Sequence, residues 1–381
     1  MTPPPRRIAL SSRRLSVLLA LVAVLFGLAG CAGRPGAGSL VPTAASAPGA
    51  KSVTLLVATD RGNADVAGSG GGRAALRYEQ LTVSIPPGHK PGTIEWSEET
   101  ARDPAKSFVV TGRQPLSEEG FRAAVAAGAK EGETAGVFVH GYNYSLAEAA
   151  FRLAQLSADS ARVGAPILFS WPSEAAVTGY VADRDAVAYA RDDLAHVLTL
   201  VAAARPRGQI TLAGHSMGCW LVMETLRQFR LEGRDDLVAR FEVALAAPDI
   251  DVDVFRRQLA VVGRLSPPLT ILVSPDDRAL LASGRLAGGH TRLGLVDVHD
   301  PRLLEIAQRD GLRIVDISSL EASDGTRHDR FVRFAAFQSR EMGGDGNAVG
   351  SLQQAGAFVF NAAGAAVASP FTLAGRVIAG E

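Results

Sequence analysis

Ser216 stands at the centre of Gly214-His215-Ser216-Met217-Gly218, with the apolar run QITLA before it and the helical pattern CWLVMETLRQF after it. A serine hydroxyl is a weak nucleophile until a base takes its proton. On a strained strand-to-helix turn, its Oγ projects from the end of a sheet, where a base can reach it. The flanking glycines let backbone pass close on both sides, and the N-terminus of the following helix favours negative charge developing at the reacting oxygen. In a chain with 40 glycines the five-residue string alone says little; its place between a strand and a helix gives it weight.

The base for such a serine is a histidine held in one tautomer by a carboxylate, and around this kind of elbow the chain order is serine, acid, histidine. That order prunes the seven histidines. His89, His140, His196 and His215 come too early, which leaves His290, His299 and His328. His328 is the best placed, in the polar turn SDGTRHDRF between a strand-like segment at 313–317 and an apolar run at 331–337; the other two read as solvent-exposed. For the acid, Asp277 follows the strand-like segment 269–273 and opens the helical pattern DRALLASGRL. Asp276 next to it and Asp249 in AAPDID are its rivals, and capping a helix is an ordinary role for any of the three. Two backbone donors for an oxyanion are expected from Met217, just after the nucleophile, and from Tyr142 in the turn His140-Gly141-Tyr142-Asn143 that follows GVFV. In this reading His140 shapes the turn and is not the base.

The elements that must position these groups are legible as patterns. Segments 52–58 and 81–85 read as strands, 108–111 as a possible third, and they are expected to pair antiparallel at one side of the sheet. From residue 117 onward helices alternate with short, wholly apolar strands at 136–139, 167–170, 210–213, 243–247, 269–273 and 313–317. Such runs belong to a mostly parallel central sheet covered by helices on both faces, an α/β architecture. The clearest helix is 183–203, where Val187, Ala190, Leu194, Val197, Leu198 and Val201 recur on one face.

Residues 1–31 carry processing information: a basic stretch with Arg6, Arg7, Arg13 and Arg14, an apolar stretch at 15–28, and Leu28-Ala29-Gly30-Cys31. This resembles a bacterial lipoprotein signal, which makes Cys31 the lipidated N-terminus and places the protein at the cell envelope, facing the periplasm or the exterior. Residues 32–50, rich in Ala, Gly, Pro and Ser, read as a flexible tether, residues 51–340 as one catalytic domain, and residues 341–381 as a loosely packed Ala/Gly-rich tail. The chain has 39 basic and 39 acidic side chains, so no nucleic-acid partner is indicated. With Cys31 lipidated, Cys219 has no disulfide partner, and no metal or cofactor motif is present.

The stretches ATDR (from Ala58), VSIPPGHKPGTIE (Val83), VFVHGYNYSLAEA (Val137), LFSWPS (Leu168), GHSMGCWLVMETLRQ (Gly214), APDIDVDVF (Ala247) and DRALLASGRLAGG (Asp277) together resemble a family of bacterial α/β-hydrolases in the esterase and lipase superfamily, over 51–340. The resemblance implies the α/β-hydrolase fold, Ser216 as nucleophile and Asp277 as acid, and it supports His328 less directly. Trp171, at the end of a strand, is a candidate for the substrate pocket or for the core, as are Tyr144 and Tyr180. The expected activity is hydrolysis of a carboxylic ester, small or lipid, through an acyl-enzyme. Acyl transfer at the envelope, or a non-catalytic lipoprotein using the scaffold for binding, are the alternatives.

Overall fold

The structure is a computed structural model describing residues 34–62, 72–97, 102–128, 134–160, 163–341, 358–360 and 366–367. The expected signal segment, with Cys31, lies outside them. Nine strands build the main sheet: β1 (Lys51–Arg61), β2 (Arg73–Ile85), β3 (Val109–Leu116), β4 (Thr134–Val139), β5 (Val163–Ser170), β6 (Ile210–His215), β7 (Phe241–Ala246), β8 (Thr270–Val273) and β9 (Arg313–Asp316). Their order across the sheet is β9-β8-β7-β6-β4-β5-β1-β2-β3. From β1 to β9 every neighbouring pair is parallel, while β2 and β3 join antiparallel at the other side. The strands expected from sequence are all present; β2 begins eight residues before its expected start, β3 runs five residues past its expected end, and the others lie within a few residues of their expected ends.

Burial on both faces explains why these strands read as unbroken apolar runs. In β4, Val137 and Val139 join one core cluster and Phe138 the other; in β5, Ile167 and Phe169 oppose Leu168 in the same way. The first cluster is closed by helices α1 (Glu118–Ala127), α3 (Tyr180–Ala204), α4 (Met217–Leu231) and α6 (Val252–Val262), the second by α2 (Leu146–Asp159) and α9 (Arg330–Glu341). The short α5 (Asp235–Val238), with α7 (Arg278–Leu286) and α8 (Pro301–Asp310), completes the connections. This is the α/β-hydrolase fold. Among the described residues no helix is long and apolar enough to cross a membrane.

Two boundaries differ from expectation. Residues 34–50 are not a free tether. Leu40 is buried in the second cluster, Thr43 N–H donates to the Val110 carbonyl at 2.9 Å, and the Arg102 guanidinium caps the carbonyls of Gly38 and Val41. One leucine and a few backbone bonds suffice to seat a segment whose composition suggests freedom. At the other end, the tail contributes β10 (Phe358–Phe360) and β11 (Ala366–Val367), which extend the sheet antiparallel from β9.

Candidate active site

The C-terminal ends of β4, β6, β8 and β9 converge, as expected for ligands of an open parallel sheet. Ser216 follows β6 and caps α4 with φ 53° and ψ −121°, a left-handed conformation that costs a non-glycine residue on the order of 1–3 kcal/mol. Three hydrogen bonds hold it there. Its N–H donates to the Ala246 carbonyl at 2.9 Å, and its own carbonyl accepts from Cys219 and Asp249 N–H, both at 3.1 Å. Asn143, Ala175, Ala247 and Arg327 also have positive φ, and each sits in a loop at this same end of the sheet.

The three acids considered from sequence have three separate tasks. Asp277, fully buried, divides its carboxylate: Oδ1 accepts from Leu280 N–H at 3.0 Å and caps α7, while Oδ2 lies 2.6 Å from Nδ1 of His328. Capping the helix and meeting the histidine are therefore done by the two oxygens of one carboxylate. Asp276 instead holds the loop that carries the histidine, through Arg330 and through Arg327 at 2.6 Å; the Arg330 hydrogen bond holds its carboxyl well below the ordinary carboxylate range. Asp249 is buried, accepts from Tyr180 Oη at 3.0 Å and Ser283 Oγ at 2.8 Å, and lies 3.1 Å from Arg292 Nε. It braces the elbow from behind.

His328 is held further by its N–H to Asp324 Oδ1 at 3.0 Å, and its ring lies 4.7 Å, centroid to centroid, from that of His215, the residue before the nucleophile. Burial alone would lower the His328 pKa, but the hydrogen bond and charge of Asp277 outweigh it and raise the imidazole above its usual value. With Nδ1 committed to the carboxylate, Nε2 is the nitrogen left to exchange a proton. His215, stacked 4.4 Å over Phe331, is kept neutral by burial and by the neighbouring His328. His290 and His299 are exposed, and His290 pairs with Asp251 at 3.2 Å.

The turn after β4 packs directly against the elbow: a Cβ on Gly141 would fall 2.7 Å from Ser216 Cβ. The N–H groups of Met217, at the start of α4, and of Tyr142 donate to no described residue, which leaves both for an oxyanion. His140 is buried and neutral, with Nδ1 2.8 Å from the Gly141 carbonyl, and it shapes the turn as expected. Its carbonyl accepts from the Trp171 indole N–H at 2.8 Å. Trp171 is thus in the core, fully buried, and steadies the turn from behind rather than lining an opening. Tyr142, Asn143 and Tyr144 line a cavity of about 320 Å³, whereas Tyr180 and Met217 line a much smaller cleft on the other side of the elbow. A cavity of about 590 Å³ lies between α6 and α8 and includes none of Ser216, Asp277 and His328.

Sequence reasoning missed the polar frame beneath this turn. Buried Arg61 donates to Ser170 Oγ and the Ser173 carbonyl, both at 2.9 Å, and to the Tyr144 carbonyl; burial brings its pKa down to about 10. Asp183 accepts from Ser173 Oγ and Glu174 N–H, both at 2.6 Å, and from Asn143 N–H at 3.2 Å. A charged pair, Asp60-Arg61, closing an otherwise apolar strand was the available signal. Asp60 is itself fully buried, and burial first, then the nearby Asp193, push its carboxyl up to about 7. An acid with a raised folded-state pKa stabilises the fold most at low pH and loses that contribution as pH rises through about 7. Asp60→Asn should therefore gain stability over the parent between pH 5 and pH 8, by up to about 2–3 kcal/mol, in urea melts at the two pH values. A difference that does not vary with pH would show the carboxyl to be ionised throughout.

Fold and site together define an α/β hydrolase. The chain belongs to the family described as alpha/beta hydrolase of unknown function (DUF900), whose model matches residues 120–342. No curated protein matches it significantly. Among solved structures, lipase B of Aspergillus fumigatus is similar at 11% identity and a TM-score of 0.37, covering 58% of this chain and 54% of the lipase, so the chain spans about half the length of that relative. An esterase of Pyrobaculum calidifontis is similar at 12% identity and a TM-score of 0.31, covering 89% and 95%.

Proposed function

We propose that this protein is a serine hydrolase that cleaves carboxylic esters through an acyl-enzyme, at the bacterial envelope to which a lipid on Cys31 holds it. The observation that carries the reading is the buried 2.6 Å contact between Asp277 and His328, presented beside a strained serine elbow. His328 Nε2 takes the Ser216 proton as Oγ bonds to the ester carbonyl carbon. The N–H groups of Met217 and Tyr142 bind the oxyanion. As it re-forms the carbonyl, the ester C–O bond breaks and the alcohol leaves with the proton from His328. Water, deprotonated by the same imidazole, then releases the acid and restores the serine.

A fluorophosphonate probe should label the protein on the peptide containing Ser216 and leave folded Ser216→Ala unlabelled; labelling of both would end the reading. The base must be neutral to act, so kcat/KM for a short p-nitrophenyl ester should rise with pH. Because Asp277 raises the His328 pKa, the half-rise should lie above the ordinary histidine value of about 6.5. A half-rise below that value would mean that the carboxylate does not engage the imidazole in the working enzyme.

A further inference from the structure

We infer that the mouth of the catalytic site faces the membrane that holds the lipid anchor, so that its substrate is an acyl ester resident in that bilayer. The inference rests on the proposed lipidation of Cys31 and on Ser216 as nucleophile; what adds to them is where the N-terminal arm is fastened. Arg34 is bonded to the oxyanion turn itself. Its guanidinium donates to Asn143 Oδ1 at 2.8 Å and to the Asn143 carbonyl, to the Ala175 carbonyl at 2.9 Å, and to both carboxylate oxygens of Glu148, Nε reaching Oε1 at 2.8 Å. Five bonds on one side chain fix the chain at this point. Arg34 is the third residue after Cys31, and three residues span at most about 11 Å when fully extended. An acylated cysteine lying in the lipid headgroups therefore keeps the oxyanion turn within a few residues' reach of the bilayer.

The surface around the same point suits a lipid interface. Val177, whose carbonyl accepts from Tyr142 Oη, is 77% exposed; Val181, in the first turn of α3, is 75% exposed; and Trp96, on the wall of the cavity shared with Arg34 and Tyr142, is 41% exposed. Branched apolar side chains and an indole beside cationic Arg34 and Arg152 match what sits at headgroup depth. The geometry couples tether and chemistry: the arm that holds the enzyme to the bilayer ends on the turn that binds the oxyanion.

The test uses the full-length, lipidated chain in vesicles of phosphatidylethanolamine and phosphatidylglycerol. Val177→Cys and Leu231→Cys are each labelled with an environment-sensitive fluorophore. Cys219 is buried, and Leu231 is an exposed apolar control at the far end of α4, about 20 Å from the elbow. Spin-labelled lipids should quench the label at position 177 by at least half and leave the one at 231 unchanged. Equal quenching, quenching only at 231, or a label at 177 shielded from aqueous iodide yet untouched by lipid quenchers would overturn the inference, the last by showing a protein partner instead. Failure of the chain to sediment with membranes would remove its premise. Activity gives an independent reading: inserting twenty Gly/Ser residues between Gly33 and Arg34 gives a slack of about 25 Å. Hydrolysis of a vesicle-borne diacyl lipid should fall about tenfold while a soluble p-nitrophenyl ester is turned over as before; undiminished vesicle hydrolysis would count against membrane facing. Absence of turnover on both substrates in the parent protein would instead strike at the serine-hydrolase reading, because quenching reports orientation without any chemistry.

Discussion

Asp277→Asn is expected to lower kcat by about 10³–10⁴-fold with little loss of stability, because the two oxygens of this carboxylate do different work. Oδ1 caps α7, and asparagine is as good a cap as aspartate, so the helix keeps its Leu280 hydrogen bond. At the other position the amide offers N–H in place of an acceptor. His328 Nδ1 then loses its proton acceptor and the tautomer with hydrogen on Nε2 is favoured, so no lone pair faces the serine. Thermal melts should place the variant within about 1 kcal/mol of the parent while steady-state kinetics show the loss. The neighbouring carboxylate supplies the control. Asp276→Asn weakens the grip of Arg327 and Arg330 on the histidine loop but leaves the Asp277 contact intact, so it should cost far less in kcat. A larger loss at position 276 than at 277 would reverse the assignment of the acid.

The candidate catalytic side chains were legible because each stands at a boundary between two patterns. Ser216 separates an unbroken apolar run from a helical one, Asp277 does the same after β8, and His328 was reached by chain order together with its place in a polar turn between a strand and an apolar run. What could not be read from sequence is the part built from long-range polar contacts. Arg34 and Glu148 are 114 residues apart, and nothing in a stretch of Ala, Gly, Pro and Ser marks the one arginine that finds a partner. Arg61 is marked only by the charged pair that closes an apolar strand, and Asp183 looks like an ordinary surface charge until the fold buries both beneath the turn after β4. Trp171 was open between pocket and core, and its indole N–H on the His140 carbonyl settles it for the core. Periodicity locates elements, but the polar groups that steady an active site are fixed by contacts that leave no period.

Gly218→Ala should reduce kcat by about 10²–10³-fold and lower stability as well, because the glycine sits where the elbow and the oxyanion turn touch. A Cβ at this position would lie 2.3 Å from the His140 carbonyl oxygen and 2.6 Å from that of Val139. Both are backbone atoms at the end of β4, and neither can step aside as the end of a flexible side chain would. The His140 carbonyl is also held by the Trp171 indole, so relief must come from moving α4 away from the turn. That motion separates the Met217 donor from the Tyr142 donor. A shift of about 1 Å between groups that must converge on one oxygen is enough for a loss of about 10²-fold. The Asp277 and His328 pair lies on other loops and should survive, so the fluorophosphonate probe should still label Ser216, only more slowly. Loss confined to kcat, with labelling retained, is the signature of a damaged oxyanion site; unchanged turnover in a folded variant would show that the two N–H groups need not be held in register.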